Sequence, residues 1–285
     1  MLKAAESPDL PVLTVLVGPE TPVALALNDF VRRMRGLMAL HGLAAVPNRR
    51  AGPVLRQAAN SRVAAAARLT ALHDVTGAGP AFLSAVKFLG LPRRGFRGRS
   101  ILPGVAVRLA GLGELGLGAG LRLVIAPAAL PAFFLATGSE ATAARVSATP
   151  WETLYELSWA SLADEIAEAL PGAEISVLAP RRAATRSPEV LAALFGPAAA
   201  ASEEPWALLA SALDETGRAV LAEQFGGAPP SPAVAEELLD SFPAGPGRAE
   251  LRAQLGIDDL TATLLEQRLY EDLRDIRASG RVRLV

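Results

Sequence analysis

The stretch Val12 to His41, VLTVLVGPETPVALALNDFVRRMRGLMALH, decides the fold class. Val12, Leu13, Val15, Leu16 and Val17 form a nearly unbroken, β-branched-rich run, the pattern of a strand covered on both faces in a parallel sheet. Gly18 and Pro19 end it. Thr21 suits an N-cap, and Pro22 suits the first helical turn, where a missing N–H costs nothing. Val23, Leu27, Phe30, Met34 and Leu37 then recur at spacings of three and four, giving one apolar helix stripe that Gly42 stops. Strand, tight turn and helix are how a nucleotide-binding α/β domain opens.

A phosphate-binding turn needs glycines for close backbone approach, exposed N–H groups at the helix start and a Lys for charge. Here Gly18 is the one glycine, Glu20 stands where a cation would help, and Pro22 removes an N–H. A carboxylate a few ångströms from a phosphate is repulsive by about 1–4 kcal/mol. Gly18-Pro19-Glu20-Thr21 therefore reads as a structural β-to-α elbow.

Outward from this unit, Ala81 to Val86, Leu121 to Ile125 and Ala173 to Ala179 are further strand-like runs. Helical patterns lie between them over Val54 to His73, Leu102 to Leu115, Leu130 to Arg145 and Trp151 to Leu170. Four strands separated by helices predict a three-layer α/β fold, a parallel sheet with helices on both faces. From Ser187 the pattern is helical: Pro188 to Phe195, Leu208 to Phe225, Pro232 to Phe242 and Asp258 to Ser279. Arg281 to Val285 alternates Arg with apolar residues and fits an edge strand. The expected division is an α/β core over 1–195 and a helical C-terminal part over 196–285 packing on it.

Composition narrows the chemistry. The 285 residues contain no Cys and two His, which removes disulfides, thiolate sites and His-rich metal centres. The formal net charge of −1 gives no general attraction to nucleic acid or an acidic membrane. Met1 to Leu10 has no apolar signal core, so a cytoplasmic location is expected. Leu123 to Ser139 is long and uncharged, but Pro127 and Pro131 divide it into a strand and a helix rather than a membrane span.

Few residues suggest a site. His73 beside Asp74 is a weak candidate for a general base, with Glu20 the other; a surface His at a helix end is the plainer reading. His41 reads as a helix cap. Arg93, Arg94, Arg97 and Arg99 around Phe96 form the densest basic cluster, suited to an anion or a partner contact. Trp151, Tyr155 and Trp159, four apart on one predicted helix, read as core packing.

Together these segments resemble the bacterial sulfotransferase-like proteins of the P-loop superfamily. In that family the first strand enters a Pro-Lys-Thr/Ser-Gly-Thr/Ser-Ser/Thr loop. Pro19-Glu20-Thr21-Pro22-Val23-Ala24 holds that place, with Glu20 for the Lys and Pro22 for the Gly. Ser84 to Pro92 resembles the segment after the second family strand, with Val86 in place of its acid. Leu121 to Pro127 resembles the later strand, with Ile125 and Ala126 where an Arg is expected. The terminal helix with Tyr270 and Asp272, followed by a short strand, is similar as well. The resemblance implies a scaffold kept and a donor chemistry lost: a non-catalytic protein without cofactor that acts through a protein partner or ligand. The alternative it implies is a divergent transferase moving a sulfuryl group from 3′-phosphoadenylyl sulfate to a saccharide or other hydroxyl. A structural subunit of a larger assembly is the third expectation.

Overall fold

Alternation along the strands builds two cores, one on each face of a single sheet. In β1 (Leu13–Gly18), Leu13, Val15 and Val17 face one cluster while Leu16 faces the other. The alternation holds through β3 (Ala81–Val86), β4 (Leu121–Ile125) and β5 (Glu174–Val177). All six residues of β1 and of β3 and all five of β4 are buried, as a doubly covered sheet requires. The computed structural model describes residues 13–86, 88, 89, 100–102, 104–117, 120–136, 140–200, 202, 204–226, 228 and 230–285.

With β2 (Ala44–Val46) and β6 (Arg283–Leu284) at its edges, the sheet has six strands among the described residues, in the order β2-β3-β1-β4-β5-β6, every pairing parallel. The α/β class, with helices on both faces and a helical C-terminal region, follows from it. One strand, β2, differs from expectation. Ala44–Val46 forms β2 at one edge, a strand that the sequence reading does not include; three residues are too few for periodicity to register. Arg283–Leu284 forms β6, the expected edge strand, parallel to β5.

Helix α1 (Pro22–Leu40) opens with the Thr21 cap and Pro22 at its first position. It buries Val23, Leu27 and Phe30 on one face of the sheet, together with the helix Ser187–Phe195. The opposite face carries the helices Asn48–Ala58, Val105–Gly113, Leu130–Ala136, Trp159–Ala169 and Asp259–Ser279. The last helix belongs to the main core through Leu265, Leu269 and Ile276, and β6 packs against it through Leu284, next to buried Val282. A separate apolar cluster, Leu209, Leu213, Leu221, Leu238 and Leu239 among its members, holds the helices Glu215–Phe225 and Pro232–Ser241.

Several long helical patterns are divided. The pattern over Val54 to His73 becomes Asn48–Ala58 and Ala65–Thr76, separated by the turn at Asn60. Buried Arg68 spans that turn, donating to the carbonyls of Ala58 and Gly111 and pairing with Glu114 at 2.8 Å. Gly111 permits the approach, since a Cβ there would lie 2.0 Å from the Ala59 oxygen. Trp151 to Leu170 divides at Glu156 to Ser158 into the helices Trp151–Tyr155 and Trp159–Ala169. Leu208 to Phe225 divides at Asp214, which caps Glu215–Phe225 through the Gly217 N–H. The helix Arg248–Leu255 was not expected.

Candidate functional site

The carboxyl edge of the sheet is where an open α/β fold binds ligands, at the point where successive connections leave in opposite directions. Here β1 leads through α1 toward β2 on one side, and β4 leads toward β5 on the other. The ends of β1 and β4, which pair directly, therefore bound the switch point.

Gly18 closes β1 with φ at +114°, a conformation that L side chains rarely adopt. Pro19 and Thr21 are buried and Glu20 is half-buried. The Thr21 hydroxyl crosses the switch point and donates to the Ala126 carbonyl at 2.9 Å. It also accepts the Ala24 N–H at 3.3 Å. The Thr21 N–H donates to Pro19 O and the Leu25 N–H to Thr21 O, both at 2.9 Å. With Pro22 lacking an N–H, most of the donors that would cradle an anion are already engaged.

On the far side of the same β4 exit, the Trp159 indole N–H donates to Ala128 O at 2.9 Å. Ala126 and Ala128 are thus held from both flanks. Trp159 begins a helix capped by Ser158, whose hydroxyl accepts the Ser161 N–H. Asp272, reaching from the last helix and fully buried, accepts the Ser158 hydroxyl at 2.6 Å and the Trp159 N–H at 2.8 Å. Arg268 lies 3.2 Å from the same carboxylate, stacks over the Tyr155 ring and donates to Leu157 O. Burial pushes the Asp272 carboxyl above its ordinary range, opposed by the hydrogen bonds from Ser158 and Trp159. The Tyr155 hydroxyl donates to Glu271 at 2.7 Å; that bond, with burial, raises its pKa. This network docks the last helix and fixes a helix start. Its donors and acceptors satisfy one another.

The residues singled out from sequence do not converge. His73 is exposed near the end of Ala65–Thr76, which feeds through 77–80 into the start of β3. That is the amino edge of the sheet, a strand length of about 20 Å from the elbow holding Glu20. His41 caps α1 at that same edge, through backbone bonds. Arg93, Arg94, Arg97 and Arg99 lie outside the described residues. The aromatic series spreads from a buried Trp159 through a half-buried Tyr155 to a Trp151 that is 42% exposed. Only its inner end is core. Sequence reasoning missed the Ser158–Arg268–Asp272 network, because its halves lie more than a hundred residues apart.

An open cleft of about 420 Å³ lies beside α1, lined by Asp29, Arg33, Glu204, Trp206 and Arg218. Arg33 pairs with both Asp29 and Glu204, so these charges are balanced within the cleft. The Trp206 indole N–H is buried and has no hydrogen-bond partner among the described residues. Among the described residues no group of three metal-ligating side chains occurs, and no helix is long and apolar enough to cross a membrane. The chain matches no family model, no curated protein and no solved structure.

Proposed function

We propose that this chain is a sulfotransferase-like α/β protein whose first elbow no longer takes a nucleotide, and that it acts by binding a partner rather than by catalysis. The observation carrying this reading is the Thr21 hydroxyl on the Ala126 carbonyl, at the place where the ends of β1 and β4 would admit a phosphate. The parallel sheet with β1 between β3 and β4 supports the scaffold part. The altered residues Glu20 and Pro22 support the loss of donor binding. His73, near the end of Ala65–Thr76, sits at the opposite edge of the sheet from the elbow, which weighs against it as the base of a transferase working there.

Thermal melting with nucleotides tests the proposal. A nucleotide bound at about 100 times its Kd stabilises a fold by about 2.7 kcal/mol, a readily measured rise in Tm. Adenosine 3′,5′-bisphosphate, ATP and GTP are expected to leave Tm unchanged. A saturable rise with any of them contradicts the reading.

A further inference from the structure

The net charge of −1 hides a segregation. Between Phe30 and Gly113 the chain carries fourteen Lys and Arg and a single acid, Asp74. These are half of its 28 basic residues against one of its 29 acidic ones. Part of this charge is neutralised: Arg32 and Arg33 pair with Asp29, and buried Arg68 with Glu114. On the helix Asn48–Ala58 and the turn after it the situation is different. Arg49, Arg50, Arg56 and Arg62 are exposed, and none has a carboxylate within ion-pair distance among the described residues.

The helix orients this charge. It buries Ala51, Gly52, Leu55 and Ala58 against the sheet, which leaves Arg49, Arg50, Pro53, Arg56 and Gln57 on its outer side. Arg49 and Arg56 are seven residues apart, hence on one stripe and about 10 Å apart along the axis. That spacing covers about three nucleotide steps of 3.4 Å. Gln57, Asn60 and Ser61, all exposed, add uncharged hydrogen-bonding groups beside the arginines. The Asn48 N–H donates to the Asn28 side chain at 3.1 Å, tying the helix start to α1 and giving the surface a rigid base.

What is missing from this surface selects the partner. A protein interface is anchored by aromatic or large apolar residues, and a membrane-surface helix by an apolar wedge. Among the described residues the exposed large hydrophobic ones are Leu25, Leu40, Leu69, Val107, Trp151, Leu260 and Tyr270, and none lies between 48 and 62. A nucleic-acid backbone needs neither anchor; Arg with Asn, Gln and Ser is the donor set that phosphates take. We infer that the outer face of Asn48–Ala58, with Arg62, binds the phosphate backbone of a nucleic acid without reading its sequence. The acidic remainder of the chain turns this face toward the polyanion and the other faces away.

The inference names the partner class that the preceding reading leaves open, and it rests on a different surface from the elbow. Nucleotide binding at Thr21 would end that reading and leave this one standing; loss of the backbone contact would do the reverse. The test is fluorescence anisotropy of labelled mixed-sequence oligonucleotides, single-stranded and duplex, titrated with the full chain at low and raised salt. Binding is expected near the non-specific range of about 10⁻⁴–10⁻⁶ M, weakening as salt rises. The combined variant R49A/R50A/R56A is expected to flatten the log–log salt slope by about 3, at roughly 0.9 per phosphate contact. The variant R274A/R277A, on the last helix, is expected to bind as the wild type does. All five side chains are exposed, and circular dichroism melts confirm that each variant folds. Absence of binding to both oligonucleotides at low salt overturns the inference. So does an unchanged slope in the triple variant, or binding confined to phosphatidylserine-containing vesicles.

Discussion

Thr21 makes two hydrogen bonds at the one place where this fold class usually holds a ligand. As N-cap it accepts the Ala24 N–H, and as a donor it binds the β4 exit at Ala126. Replacing it by Val keeps the shape and removes both. A loss of about 1–2 kcal/mol in urea denaturation is expected, with Thr21→Ser retaining most of the stability. A Thr21→Val protein as stable as the wild type would mean that the bond to Ala126 does not hold the elbow shut. Ser84 is the opposite case, a fully buried hydroxyl on β3 with no hydrogen-bond partner among the described residues. Burying an unpaired hydroxyl costs free energy, so Ser84→Ala is expected to be neutral or up to about 1 kcal/mol more stable. A loss of that size instead would show that the hydroxyl has a partner in solution. The cap at Thr21 was legible from Thr21-Pro22 alone; its bond to Ala126, 105 residues away, was not.

At the scale of elements, the division of Trp151 to Leu170 shows where periodicity misleads. The apolar stripe through Leu154, Leu157 and Leu162 is real, and all three are buried. The backbone nevertheless breaks, because Ser158 is extended and the Trp159 N–H is taken by Asp272 rather than by a preceding turn. Asp272 makes this element sensitive to pH. Its folded pKa is raised by burial, so the folded state holds the proton more tightly than the unfolded chain. The associated stability is full below the ordinary carboxylate range and is lost as pH rises through the folded value. Asn at this position does not titrate. The stability difference between wild type and Asp272→Asn is therefore expected to narrow from acid to neutral pH, measured by urea denaturation across that range. A difference that widens with pH would mean that Ser158, Trp159 and Arg268 stabilise the carboxylate more than burial penalises it.

For the whole molecule, the α/β class was legible because β1, β3 and β4 are long apolar runs bounded by Gly and Pro. The two edge strands are short: β2 went unread, and β6 was expected only as part of a five-residue alternation. The candidate site was legible only by subtraction. Glu20 and Pro22 say what the elbow lacks, whereas the bond that closes it joins Thr21 to Ala126, 105 residues away. A net charge near zero says nothing about where the charges sit. The arginines of Asn48–Ala58 emerge only when the helix's buried face is known. Both functional readings thus rest on placement: a hydroxyl across the switch point, and a row of guanidinium groups on an outer helix that have no carboxylate partner among the described residues.

The central claim is that the elbow between β1 and α1 is closed to a nucleotide phosphate. Isothermal titration calorimetry of the full chain with adenosine 3′,5′-bisphosphate measures it most directly. No saturable heat is predicted for the wild type. Low-micromolar binding that Thr21→Val alters would contradict the claim.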